Sequence, residues 1–140
     1  MRRSGFFVLS FLSVLLGYIM YLGWRDVVPS LGFIHYNHQL WYFFHHSIGD
    51  NMPLPGWVVY TLPQGLWALG LSLFIGGIWY KGPLFMGYIW LSLSMMAVLL
   101  WEVFQRAGFI AGTFSWLDVV IGICGVGVGI VFFTFKKYES

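Results

Sequence analysis

Residues 57–80 read "WVVYTLPQGLWALGLSLFIGGIWY", 24 positions without one Asp, Glu, Lys, Arg or His. A helix needs roughly 20 apolar residues to cross about 30 Å of hydrocarbon, and this run is long enough. Trp57 stands at one end and Trp79 and Tyr80 at the other, at the level where amphipathic rings settle between lipid and water. Three more runs of the same kind lie outward from it. "GFFVLSFLSVLLGYIMYLGW" covers residues 5–24. "PLFMGYIWLSLSMMAVLLW" covers 83–101 and continues as a helix to Gln105. "WLDVVIGICGVGVGIVFFTF" covers 116–135. The expected fold is an all-α integral membrane protein with four transmembrane helices, forming one domain over residues 1–140.

Composition agrees with this. The chain is 59% hydrophobic and 9% charged, against about 25% charged in a typical soluble domain. A soluble fold of this length has no interior large enough to hide so much apolar surface. The net charge of +2 is small and scattered, which argues against a nucleic-acid partner. Cys124 is the only cysteine, so neither an intrachain disulfide nor a thiolate metal cluster is expected. The first run follows a basic "MRR", but its apolar core exceeds the roughly 7–15 residues of a signal peptide, and "MYLGWRD" offers no small-residue cleavage site. It reads as a retained span.

Lys and Arg counts set the expected orientation. With four spans, Arg2, Arg3, Lys81, Lys136 and Lys137 fall on one side and Arg25 and Arg106 on the other. This places both termini in the cytoplasm of a multi-pass cell-membrane protein. Residues 25–56 then form the longest outer connection. Within it, a helix over about residues 31–49 is expected to lie in the membrane plane. At 100° per residue His35, His38, His45 and His46 fall within an arc of roughly 100°, together with Tyr42. Tyr36, Leu40, Phe43, Phe44 and Ile48 take the opposite face. Pro53 and Pro55 end it. The histidine stripe reads first as the wet side of an amphipathic helix, and no cofactor is expected. A zinc or haem site there, with Asp50 nearby, is the alternative.

The polar residues that such a chain keeps inside its spans are the candidates for function. Glu102, Gln105 and Arg106 occupy positions i, i+3 and i+4 at the end of the third span, in the order that favours a Glu–Arg pair. Asp118 opens the fourth span, and Gln64 follows Pro63 in the second. Ionised groups facing lipid near the bilayer centre cost several kcal/mol, so these side chains are expected to turn inward and form one outward-opening ligand site. Structural readings stand beside that one. Ser115 and Asp118 have capping-box spacing, Glu102 and Arg106 suit an interfacial ion pair, and Gln64 suits a carbonyl freed by Pro63. Gly122, Gly125 and Gly129 recur on one helical face. They are helix-packing residues, directed either at the second or third span or at a second copy of the chain.

Glu102-x-x-Gln105 closing one span, a Gly/Thr-containing turn, and Asp118 opening a span with Gly125 and Gly129 together resemble the VanZ-like membrane family. The correspondence covers about residues 102–129. Gly122 stands where that family usually has Asn and Ser115 where it usually has an earlier Asp, and the turn arginine is missing unless Arg106 replaces it. The resemblance implies a small multi-span protein of the cell envelope without a defined reaction.

Three functions follow as expectations. The first is a non-catalytic protein whose outer site (Gln64, Glu102, Gln105, Arg106, Asp118) binds a lipid headgroup or envelope-precursor ligand. The second is an accessory subunit docking on a larger membrane protein, which a lone monomer or a homo-oligomer would argue against. The third is a small intramembrane enzyme with Glu102 and Asp118 as acid and base. Against the last, the chain carries no GxSxG or HExxH signature.

Overall fold

The computed structural model describes residues 3–24, 42–43, 45–109 and 114–138. Its long elements are α1 (Arg3–Trp24), α2 (Gly56–Trp79), α3 (Leu84–Arg106) and α4 (Trp116–Tyr138), with no strand among the described residues. All four are long and apolar enough to cross a membrane. The helices begin and end within three residues of the apolar runs, because the boundaries carry their own stop signals. Pro55 and Pro83, both extended, precede α2 and α3; proline cannot continue a helix backward but opens one readily. Pro63 lies inside α2 without ending it.

The helix α2 is the hub: α1 packs along one flank, α4 along another, and α3 fills the edge where α2 and α4 meet. Small residues set the spacing. A side chain at Gly17 would strike Trp67 and the Pro63 carbonyl, and one at Gly70 would strike Val14 and the Ser10 carbonyl. Along the other flank, Gly65 lies against Ile121 and Gly125 against the Gly65 carbonyl. Without a hydrophobic drive between helices in lipid, such close backbone approach is what holds them together. The expected glycine stripe therefore works within the chain. Gly125 and Gly129 face α2, and Gly122 faces Val98 of α3.

Toward the end that holds Arg3 and the α2–α3 turn, the bundle closes on Phe6, Leu73, Leu91 and Phe133. One interhelical hydrogen bond above them has a testable value. The Ser10 hydroxyl donates to the Gly70 carbonyl at 2.7 Å in a buried setting. Ser10→Ala is expected to lower stability by about 0.5–1.5 kcal/mol, read as the shift in reversible unfolding from mixed micelles with added sodium dodecyl sulfate. An unchanged midpoint would show that this bond contributes nothing.

Most of the expected in-plane helix over 31–49, including His35 and His38, lies outside the described residues. The part that is described departs from an α-helix. His45–Gly49 form one π-helical turn, closed by Asp50 N–H to the His45 carbonyl at 3.1 Å. The wider turn has a local cause. Asp50 holds His46 Nδ1 at 2.6 Å, and the Asn51 amide donates to the His46 and Ser47 carbonyls at 3.3 and 3.1 Å. Side chains thus take up groups that an α-helical turn would use. Gly49 rests on the Gly23 carbonyl, and Trp24 Nε1 donates to the Met52 carbonyl at 2.6 Å. Both tie the turn to the end of α1.

Candidate polar site where α2, α3 and α4 meet

The end of α3 is fixed by its last turn. Gly108 adopts φ +78°, the left-handed conformation that ends many helices. Phe109 N–H reaches the Phe104 carbonyl at 2.9 Å and Gly108 N–H the Gln105 carbonyl at 3.1 Å. These are the two bonds of a Schellman motif, and the Phe104 and Phe109 rings, 6.1 Å apart, supply its apolar contact. The turn holds Glu102 one helical turn inside the end of α3. At the start of α4, Ser115 Oγ accepts from Leu117 N–H at 3.2 Å, so Ser115 is the N-cap. The second half of the expected capping box does not form. Asp118 Oδ1 is buried and finds no hydrogen-bond partner.

Glu102 is wholly buried and turned toward α2. Gln64 Nε2 donates to its Oε1 at 2.5 Å, so Gln64 serves Glu102 and not a carbonyl freed by Pro63. Glu102 Oε2 has no hydrogen-bond partner among the described residues. The register of the helices brings Asp118 to the same level. Val98 opposes Gly122 across the antiparallel α3–α4 contact, and one turn toward the α3–α4 connection on each helix leads to Glu102 and Asp118. Gly65 against Ile121 sets α2 beside the same turn of α4. Three helices therefore contribute polar groups to one region.

The other two expected members stand apart. Arg106 is exposed, and its guanidinium lies 5.1 Å from the centre of the Phe114 ring. The expected Glu102–Arg106 pair does not form: among the described residues the only ion pairs join His45 and His46 to Asp50. Spacing of i and i+4 puts the two on adjacent positions of α3, but Glu102 is drawn into the α2 contact while Arg106, at the last residue, reaches the connection to α4. Gln105 is half-buried and makes no hydrogen bond with the cluster. Phe114 was not singled out from the sequence. Its only signal there was an aromatic ring just before the Ser115 cap, within reach of a helix-terminal arginine.

Depth is marked by tryptophan. Trp57, Trp101 and Trp116, at this end of α2, α3 and α4, all face outward with 60%, 47% and 69% exposure. Rings so placed belong at the headgroup level. Glu102 follows Trp101 directly and Asp118 lies two residues after Trp116, so the acids sit at that level but point inward.

A second polar group lies at the same end of α1. Asp50 is 2.6 Å from His46 Nδ1 and 3.9 Å from His45 Nε2. Among the described residues no three His, Cys, Asp or Glu side chains are grouped to hold a metal ion. Cys124 is exposed on α4, facing away from the cluster. In comparisons with family models, curated proteins and solved structures, nothing matches this chain.

Proposed function

We propose that this chain is a non-catalytic multi-pass membrane protein that holds a polar group of a membrane or cell-envelope molecule at Glu102 and Asp118. One observation carries the reading. A wholly buried carboxyl is oriented by Gln64 through one oxygen while its other oxygen meets no donor among the described residues. A buried polar oxygen without a partner costs about 1–3 kcal/mol or more, a cost that serves no purpose in a packing residue. It is the expected arrangement for a group that receives its partner from outside the chain. The resemblance to VanZ-like proteins is consistent with an envelope setting. The distribution of Arg2, Arg3, Lys81, Lys136 and Lys137 against Arg25 and Arg106 supports cytoplasmic termini and a site at the outer face.

The test is chemical. Parent protein and the double variant Glu102→Gln/Asp118→Asn are purified from the same membranes, and the small molecules that remain bound are identified by mass spectrometry. The parent is expected to carry a species that the double variant loses by about tenfold or more, with unchanged helicity. Identical extracts from both proteins would overturn the proposal. A stoichiometric foreign polypeptide with both, and no small molecule, would favour an accessory subunit instead.

A further inference from the structure

We infer that the group held by Glu102 and Asp118 is a primary ammonium, and that its source is the headgroup of an ethanolamine-type phospholipid. The inference rests on the function proposed above and names its ligand. It starts from donors and acceptors. One of the two N–H groups of the Gln64 amide is taken up by Glu102 Oε1. What the two acids still offer is acceptor oxygen, Glu102 Oε2 on α3 and Asp118 Oδ1 on α4, both buried and both without a donor among the described residues. Neither carboxylate has a Lys, Arg or His within ion-pair distance among the described residues. A ligand that completes this site must bring N–H or O–H donors and is favoured by positive charge. An anion is disfavoured at this point.

Two kinds of cation suit a pair of carboxylates, a metal ion by coordination and an ammonium by hydrogen bonding. Calcium takes roughly six to eight oxygens and magnesium about six, several of them waters, whereas no trio of His, Cys, Asp or Glu comes together among the described residues. An ammonium carries three N–H donors and no acceptor, a need that two carboxylates from two helices can meet. A quaternary choline nitrogen keeps the charge attraction but has no N–H to donate to these oxygens.

The phosphate end of the same headgroup also has a counterpart. Arg106 lies one turn beyond Glu102, a rise of about 6 Å along α3. It is exposed, braced over Phe114, and free of any carboxylate among the described residues. A guanidinium so placed suits a phosphodiester, and an ethanolamine nitrogen follows its phosphate by two carbons. The outward Trp57, Trp101 and Trp116 put both charges at headgroup depth.

Native mass spectrometry of the delipidated full chain tests the assignment. The protein is offered equal amounts of ethanolamine, choline and glycerol phospholipids with the same acyl chains. The parent is expected to retain the ethanolamine lipid about tenfold over the choline lipid. Glu102→Gln and Asp118→Asn should each reduce that ratio to near one. Arg106→Ala should weaken retention of all three lipids while leaving the ratio unchanged. Equal retention by the parent overturns the inference, as does a preference that survives in both acid variants, each verified to be helical. Loss of the bound lipid to soluble phosphoethanolamine, without discrimination among the phospholipids, overturns the lipid source. If the extract from native membranes instead contains a ligand without a primary amine that depends on Glu102 and Asp118, this inference fails while the proposed binding site stands.

Discussion

Gly125→Leu is expected to yield no folded protein, and Gly125→Ala to lose about 1–3 kcal/mol of stability. The reason is that the obstacle is backbone. A Cβ at this position overlaps the Gly65 carbonyl oxygen, with Leu69 N at 3.1 Å. Neither can rotate aside, so α2 and α4 must separate along the contact that carries most of the packing of α4. The other glycines of α4 give a graded series. At Gly129 the obstacle is the Ser72 hydroxyl and its Cβ, and at Gly122 it is one methyl of Val98 at 2.6 Å, which a rotamer change relieves. Gly127 meets nothing within 4 Å. Alanine scanning with dodecyl sulfate unfolding should therefore order the losses Gly125, Gly129, Gly122, with Gly127→Ala neutral or slightly stabilising. A flat series, or a large loss at Gly127, would mean that α4 packs on a different face.

The second large effect concerns the pair that joins α2 to α3. Gln64→Leu removes the only donor among the described residues to a wholly buried carboxyl, and a loss of about 2–4 kcal/mol is expected. Glu102→Leu strands the Gln64 amide, which is half-buried, for a smaller loss of about 1–2 kcal/mol. The double variant Gln64→Leu/Glu102→Leu should recover to within about 1 kcal/mol of the parent, because no polar group is then left unpaired. Its bound ligand, however, should be gone. Recovered folding with lost binding would separate architecture from function in one protein. Strictly additive stability losses would show that the two side chains are not coupled, and the site as described would fall.

The two outcomes also mark how far the sequence alone reaches. The spans were legible because each is an apolar run bounded by Pro, Trp or charge, and lipid imposes those bounds strongly. That Gln64, Glu102 and Asp118 turn inward was legible for the same reason. Which partner each side chain takes was not. Helical spacing favours Arg106 for Glu102, but a donor arriving from α2 wins, since Gln64 comes in from a packed interface and Arg106 from an exposed helix end. The sequence marked Gly125 as a packing residue without saying that Gly65 receives it. The π-helical turn at His45–Gly49 was hidden because its cause, the side chains of Asp50 and Asn51 reaching back, is invisible to hydrophobic periodicity.

The position of α2 at the hub bears on how the chain is made. Synthesis delivers α1 and α2 before α3, so Gln64 is already within the bilayer when the segment carrying Glu102 leaves the translocon. An acid that would raise the barrier to insertion of an isolated helix thus meets its amide on arrival. Asp118 comes last, on a helix whose glycines key into a groove that α2 has already presented. Assembly in this order never leaves Glu102 to wait for a donor from a later segment, and a permuted chain that emits α3 before α2 should insert it less efficiently.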